Sequence, residues 1–175
     1  PTLVVMLTIA IKRSHAATAG LTLLGLGVAA IAAIQLMQAG TSAPVTPLLV
    51  VDSYALFFMV VILLATMACV ALARAYLDSR SDRPEEFYLL ILVAATGGLI
   101  LTASVHLASL FIGVELLAVP LYGLIAYNRG SALALEAGIK YLVLSATASA
   151  FLLFGMALVY AQAGTLVAQQ LLTQT

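Results

Sequence analysis

Long apolar stretches recur along this chain, and most are close to the length that a membrane-spanning helix needs. An α-helix rises 1.5 Å per residue, so crossing a hydrocarbon core of about 30 Å takes about 20 apolar residues. Short segments containing charged residues, glycine or proline separate the stretches. The pattern predicts consecutive membrane spans rather than the alternating strands or amphipathic helices of a water-soluble domain.

The composition agrees with this interpretation. Of the 175 residues, 64% are apolar and 8% are charged, whereas a soluble domain is about half apolar and about a quarter charged. So few polar residues cannot cover the apolar surface of such a chain, and a lipid bilayer must do so. The seven basic residues are matched by seven acidic ones, which argues against nucleic acid as a partner because phosphate binding needs an excess of positive charge.

We predict an all-α, polytopic transmembrane bundle of about six helices that forms a single membrane domain. The predicted spans cover residues 2–11, 16–37, 54–76, 87–105, 107–127 and 133–161. Residues 38–47 are interpreted as a loop, and residues 162–175 as a polar tail. Pro1 leads directly into apolar residues, and the basic pair Lys12 and Arg13 follows them. A signal peptide has the opposite order, so we expect the first span to be a truncated membrane helix.

The basic residues test the order of the spans independently, because positively charged loops stay on the cytoplasmic side of a membrane. All but one of the seven lie at the end of, or after, the first, third or fifth predicted span: Lys12, Arg13, Arg74, Arg80, Arg83 and Arg129. The loops after the even-numbered spans contain no lysine or arginine. This distribution predicts a multi-pass protein whose N-terminal end lies outside the cytoplasm.

Two charged residues well inside the predicted spans stand out, Glu115 in the fifth and Lys140 in the sixth. A charge at the bilayer centre costs about 2.5 to 3.5 kcal/mol, so such residues face a protein interior or water and tend to be functional. Burial favours the neutral form of each group, while a nearby opposite charge favours the ionised form. A Glu and Lys pair can therefore be poised to exchange protons, although a structural ion pair between two helices is the open alternative.

Other residues near this pair have weaker claims to a role. Glu136 lies one helical turn before Lys140 and competes with Glu115 as its partner. Pro120 removes a backbone donor within the fifth span and predicts a kink there. His106, in the turn between the fourth and fifth spans, has suitable chemistry to pass protons, but an interfacial polar anchor is the more ordinary role.

The remaining polar residues of the spans are expected to have structural roles. Ser145, Thr147 and Ser149 bond their own helix backbone by default, or else line a hydrated path. Tyr122 is assigned no catalytic role, since tyrosine is common at membrane interfaces. The single cysteine, Cys69, lies in an apolar run, and we predict no metal site and no bound cofactor in this chain.

Two segments give the chain a specific resemblance. They read EFYLLILVAATGGLILTASVHLASLFIGVELLAVPLYGLIAY and ALEAGIKYLVLSATASAFLLFGMALVYAQAG. They resemble the antiporter-like membrane subunits of bacterial respiratory complex I, NADH:quinone oxidoreductase, and most of all the subunit N family. The likeness extends back through VTPLLVVDSYALFF and covers most of the chain. It is specific because the ELLAVPL and LEAGIKY contexts occur together and in order.

The resemblance implies a role in proton translocation driven by quinone reduction elsewhere in the complex. By the same resemblance, Glu115 and Lys140 match the helix-five glutamate and helix-six lysine of a hydrophilic axis. The family fold has fourteen helices, so this chain matches its opening part and lacks the later lysines of the axis. NADH, FMN, iron–sulfur clusters and quinone belong to the parent complex, and other membrane-arm subunits, including antiporter-like ones, are the expected partners. The implied location is the bacterial inner membrane, with the N-terminus periplasmic.

Two other functions remain open at this point. Subunits of cation/proton antiporters and of membrane-bound hydrogenases carry much the same intramembrane charges. A fragment that only scaffolds its neighbours is the third possibility. Sodium-dependent transport distinguishes the antiporter from the respiratory pump, and full activity after neutralisation of Glu115 would favour the scaffold.

Overall fold

The computed structural model describes residues 2–11, 15–40, 43–77, 84–128 and 130–173. Its elements, in chain order, are α1 (Thr2–Ile11), α2 (His15–Gln38), β1 (Ala43–Thr46), β2 (Leu49–Val51), α3 (Ser53–Leu77), α4 (Pro84–Thr102), α5 (Leu107–Ile125), α6 (Ala132–Ala163) and α7 (Ala168–Thr173). Within the described ranges, α2 to α6 are each long and apolar enough to cross a membrane. The predicted class, an all-α bundle of membrane-spanning helices, is confirmed.

Most of the residues that predicted the orientation lie outside the described part of the chain. These are Lys12, Arg13, Arg80, Arg83 and Arg129. Arg74 is described and occupies the last turn of α3. The orientation therefore stays a prediction from the charge pattern.

Local signals explain where the helices begin and end. α4 begins at Pro84, three residues before the predicted span, because proline has a helical φ and needs no amide partner in the first turn. Ser131 precedes α6, and its Oγ accepts a hydrogen bond from the Ala134 backbone N–H at 3.4 Å. α6 ends at Gly164, whose φ of 68° lies in the left-handed region that glycine adopts readily.

Residues 38–47, which the sequence analysis interpreted as a loop, include a short strand. This strand is β1, which pairs antiparallel with β2. Thr46 and Leu49 are paired at the turn, which leaves Pro47 and Leu48 to connect the strands. β-branched residues near the turn favour an extended backbone. Residues 162–175, interpreted as a polar tail, contain the end of α6 and all of α7.

The hairpin is attached to the turns that lie at the same end of the bundle. The Val50 N–H donates to the Ala103 carbonyl at 2.8 Å, and the Val105 N–H donates to the Leu48 carbonyl at 3.2 Å. On the other side of the α4–α5 turn, the Leu107 N–H donates to Leu166 O at 2.9 Å. We call this side of the molecule the hairpin end.

The core lies among α1, α2, α3 and α4. Its buried side chains are Val5, Ala19, Leu26, Ala30, Leu63, Val70, Leu77, Tyr88 and Leu92. Small residues on α2 allow the neighbouring helices to approach closely, as is common between membrane helices. Many large apolar side chains elsewhere on the helices are exposed, which suits a surface covered by lipid.

α5 packs against α4 through close backbone contact, and it contacts α6 on another side. A Cβ built on Gly97 of α4 would lie 2.8 Å from the Leu116 carbonyl carbon of α5, and one on Gly113 would lie 2.9 Å from Leu101 Cγ. Only glycine fits at such contacts. α6 packs on α5, and its buried residues are Gly138 and Met156. The α5–α6 contact is therefore where a polar residue of α6 can meet one of α5.

Candidate functional site

Glu115 has a hydrogen-bond partner on the neighbouring helix. It lies near the middle of α5 and is half-buried. The Oγ of Ser149 on α6 donates a short hydrogen bond to Glu115 Oε1. A carboxyl group in the middle of an apolar helix needs such a partner, because a buried polar group without one costs about 1 to 3 kcal/mol.

A second hydrogen bond crosses the same helix contact. The Tyr122 hydroxyl donates to Ser145 Oγ at 2.9 Å. Tyr122 follows Glu115 by two turns of α5, and Ser145 precedes Ser149 by about one turn of α6. Because the two helices run antiparallel, both bonds lie along one interface. We call these four residues the polar seam.

Close packing at one end of the interface brings the seam residues within reach of one another. A Cβ added to Gly138 of α6 would lie 2.8 Å from the Ala126 Cβ, next to the end of α5. Gly138, Ser145 and Ser149 are separated by seven and four residues, so they share one face of α6. All three are small residues, which lets the backbones approach closely where they meet α5.

Lys140 is not part of the polar seam. Its Nζ lies 2.5 Å from Glu136 Oε1, one turn earlier on α6, and both side chains are largely exposed. Lys140 and Ser149 are nine residues apart, which at about 100° per residue puts them on opposite faces of the helix. The hypothesis of a Glu115–Lys140 contact is therefore replaced, within the described residues, by two separate pairs, Glu115 with Ser149 and Lys140 with Glu136.

His106 lies at the hairpin end and caps α5. Its Nδ1 accepts a hydrogen bond from the Ala108 backbone N–H at 3.1 Å, and the residue has an extended backbone. Histidine thus fills a position that Ser, Thr, Asp or Asn usually occupies. Glu115 is nine residues further along α5, about 13 Å at the helical rise.

Pro120 is buried within α5, and the helix continues through it to Ile125. Proline has no N–H, so the Leu116 carbonyl lacks its usual partner four residues later. Leu116 directly follows Glu115. The proline thus loosens the backbone hydrogen bonding in the turn after the carboxyl group.

Sequence reasoning missed three residues of the polar seam. Ser145 and Ser149 were expected by default to bond their own helix, as Thr147 does by donating to the Val143 carbonyl at 2.8 Å, with a hydrated path as the alternative. Tyr122 was given no catalytic role and was interpreted as a residue of the membrane interface. The missed signal is spacing: Glu115 and Tyr122 are seven residues apart, as are Gly138 and Ser145, so each helix has a polar or small stripe that can face the other.

The described residues contain no cluster of three or more His, Cys, Asp or Glu side chains arranged to hold a metal ion. Cys69 is a free, exposed thiol on α3. What the α5–α6 interface offers is a carboxyl group, a phenol and two aliphatic hydroxyls. Such groups can accept, donate and pass on protons.

A family model described as "NADH:quinone oxidoreductase/Mrp antiporter, TM" matches residues 104–175, which include all of α5 and α6. The match therefore contains the whole polar seam as well as Glu136 and Lys140.

Two curated relatives are NADH-quinone oxidoreductase subunits N. The chain is 53% identical over 169 residues to that of Ectopseudomonas mendocina (strain ymp), covering 93% of this chain and 34% of the relative. It is 56% identical over 165 residues to that of Chromohalobacter salexigens, covering 94% of this chain and 34% of the relative. The chain thus spans about a third of the length of these relatives.

The fold points the same way. A chain in the structure of respiratory complex I from Thermus thermophilus with bound aureothin superposes with a TM-score of 0.81 at 32% sequence identity. The superposition covers 95% of this chain and 36% of that chain. By sequence and by fold, this chain is similar to about a third of the length of subunit N of NADH-quinone oxidoreductase and of a chain of respiratory complex I.

Proposed function

We propose that the chain contributes to proton translocation as part of a membrane-arm subunit of NADH:quinone oxidoreductase. Quinone reduction elsewhere in the complex drives the process, and no redox centre is assigned to the described residues. NADH, FMN, iron–sulfur clusters and quinone are bound by other parts of the assembly. The partners are other membrane-arm subunits, including neighbouring antiporter-like ones, and the lipid bilayer.

One observation carries the proposal: a carboxyl group in the middle of a membrane-spanning helix is hydrogen-bonded to a hydroxyl group of the next helix. Glu115 has Ser149 as its hydrogen-bond partner. An acidic residue at this depth is expensive and tends to mark an ion or proton path. A purely structural contact between α5 and α6 needs only the small residues that already line it.

Lys140 and Glu136 form the second charged element of the proposed path. Their exposed pair lies on the side of α6 that faces away from α5. Charges on that side must be solvated by water or paired with other protein groups, since lipid does not solvate them. We assign Lys140 to proton translocation together with Glu115, and Glu136, with His106 at the hairpin end, to possible positions on the path. Pro120 supplies the loosened turn beside Glu115.

The proposed location is the bacterial inner membrane, with several spans and a periplasmic N-terminal end. This places the hairpin end on the periplasmic side and the turn between α5 and α6 on the cytoplasmic side. The six basic residues that follow odd-numbered spans support this orientation.

The decisive experiment replaces Glu115 with Gln in the full-length subunit of the assembled complex. We expect proton pumping and the coupled NADH:quinone oxidoreductase rate to fall roughly 10-fold or more, since a positioned acid–base group contributes at least that much. Glu86→Gln is the matched control, because it removes a carboxylate from the first turn of α4, away from the seam. Full pumping by an assembled Glu115→Gln complex would leave only a scaffolding role.

A second candidate is a subunit of a cation/proton antiporter or of a membrane-bound hydrogenase. The description of the matching family model names both NADH:quinone oxidoreductase and the Mrp antiporter. The two functions differ in what drives transport. Proton movement that follows a sodium gradient without NADH oxidation would support the antiporter, whereas movement that requires NADH and quinone supports the respiratory pump.

A further inference from the structure

We propose that Tyr122, Ser145 and Ser149 form a hydroxyl relay that delivers protons to Glu115 from the end of the bundle where α5 joins α6. This inference rests on the proposed function, because it gives Glu115 its route of supply. It adds three residues to the path, and it adds a direction of approach.

The hydrogen bonds of the relay point toward Glu115. The Tyr122 phenol donates to Ser145 Oγ, and Ser149 Oγ donates to Glu115 Oε1. Both bonds are thus donated in the same direction along the proposed route, which starts at Tyr122 and ends at the Glu115 carboxylate. A chain of hydroxyls with a common direction of donation can pass a proton along without moving any heavy atom far.

One water molecule completes the route between the two serines. Side chains four residues apart on a helix have Cβ atoms about 5 to 6 Å apart, which is a span that one water can bridge. Ser145 and Ser149 are both half-buried and offer it hydroxyl partners on either side. The bridging water is part of the proposal.

The transfer is balanced in protons. Tyr122 accepts one proton from the solvent side as it releases its own to Ser145, and Ser145 releases one to the water. The water releases one to Ser149, and Ser149 releases one to Glu115. The three hydroxyls and the water end unchanged, and the Glu115 carboxylate becomes a carboxylic acid.

Tyr122 is placed to receive protons from outside the seam. It lies in the last turn of α5, and its ring contacts that of Tyr141 edge-on at 5.6 Å between centroids. Tyr141 is 36% exposed and directly follows Lys140. The relay therefore starts at the same end of α6 as the exposed Lys140–Glu136 pair, although that pair lies on the face of the helix turned away from α5.

The competing explanation is that the two hydrogen bonds only hold α5 and α6 together. The two explanations predict different effects of replacing H₂O with D₂O on the pumping rate of the variants. Loss of a structural bond lowers assembly or stability and leaves the solvent isotope effect on pumping unchanged. Loss of a relay hydroxyl makes proton delivery limiting and raises that effect.

The test uses four variants of the full-length subunit in the assembled complex: Tyr122→Phe, Ser145→Ala, Ser149→Ala and Ser149→Thr. Pumping is measured per assembled complex, in H₂O and in D₂O. We expect the first three to lower the pumping rate roughly 10-fold with a larger isotope effect, and Ser149→Thr, which keeps the hydroxyl, to retain most of the rate. Tyr122→Phe keeps the ring and so remains informative where a serine variant assembles poorly.

Thr147→Val is the matched control. Thr147 lies between the two serines on α6, is exposed, and bonds its own backbone, so its replacement should pump as the unmodified complex does. The relay is overturned if Tyr122→Phe and Ser145→Ala pump normally while Glu115→Gln does not. If Glu115→Gln itself pumps normally, the proposed function fails and the relay fails with it.

Discussion

Gly138 of α6 and Ala126, which follows α5, are so close that a Cβ added to the glycine would lie 2.8 Å from the alanine Cβ. Real Cβ atoms do not approach that closely, so any larger residue at 138 must push the helices apart. The polar seam begins just beyond this contact. Its two hydrogen bonds therefore depend on the absence of a side chain at Gly138.

Replacing Gly138 with Ala is expected to separate α5 from α6 near the Tyr122–Ser145 bond. Overpacking of this kind costs about 1 to 3 kcal/mol, partly offset by the better helix propensity of alanine. The thermal stability of the purified complex and its pumping rate should both fall. Gly155→Ala is the control on the same helix, because a Cβ at 155 meets nothing within 4 Å. Equal stability of the two variants would contradict the close approach.

The pairing of Lys140 is testable by double-mutant cycles. Glu136 and Lys140 are in contact at 2.5 Å, so Glu136→Gln and Lys140→Met should couple by about 0.5 kcal/mol or more in the stability of the complex. Glu115→Gln and Lys140→Met should be additive, since Glu115 bonds Ser149 on the opposite face of α6. Strong coupling between 115 and 140, with none between 136 and 140, would restore the pairing that the sequence favoured.

The sequence predicted the bundle and its two intramembrane charges, because apolar span length and isolated charges are local properties. It could not predict which partner each charge takes. Glu115 and Lys140 are an attractive pair by charge, but Lys140 and Ser149 are nine positions apart and lie on opposite faces of α6. Only the rotation of α6 against α5 decides which face meets Glu115. Ser149 gives no signal in composition or charge, so the seam was missed.

The hairpin was missed for a related reason. Pro44 and Pro47 suggest an irregular loop, and β1 and β2 are too short to form on their own. Hydrogen bonds from Val50 and to Leu48 tie them to the α4–α5 turn. That turn is distant in sequence, so the strands depend on tertiary contacts that no local pattern reveals.

Ser109 is expected to hold the hairpin in place. It is 4% exposed, and its hydroxyl is 2.8 Å from the carbonyl oxygens of both Leu48 and His106. Ser109→Ala removes the donor that these backbone carbonyls share and should cost about 1 kcal/mol. Amide hydrogen exchange at residues 43–51 of the assembled complex should speed up. Exchange there should be unchanged in Thr147→Val, and unchanged exchange in Ser109→Ala as well would rule out this role.

Tyr88 is expected to stabilise the contact between α2 and α4 through its hydroxyl. The side chain is fully buried, and its oxygen lies 2.6 Å from His15 Nε2, with the two rings stacked at 5.5 Å. Tyr88→Phe keeps the ring and leaves the histidine nitrogen without this partner, so the complex should lose about 1 kcal/mol of stability. Tyr160→Phe, at a residue that is 56% exposed on α6, is the control and should change nothing. Because the His15–Tyr88 contact lies away from the seam, the Tyr88 variant should pump at the normal rate per assembled complex. A pumping defect without a loss of stability would show that proton transfer depends on this pair as well.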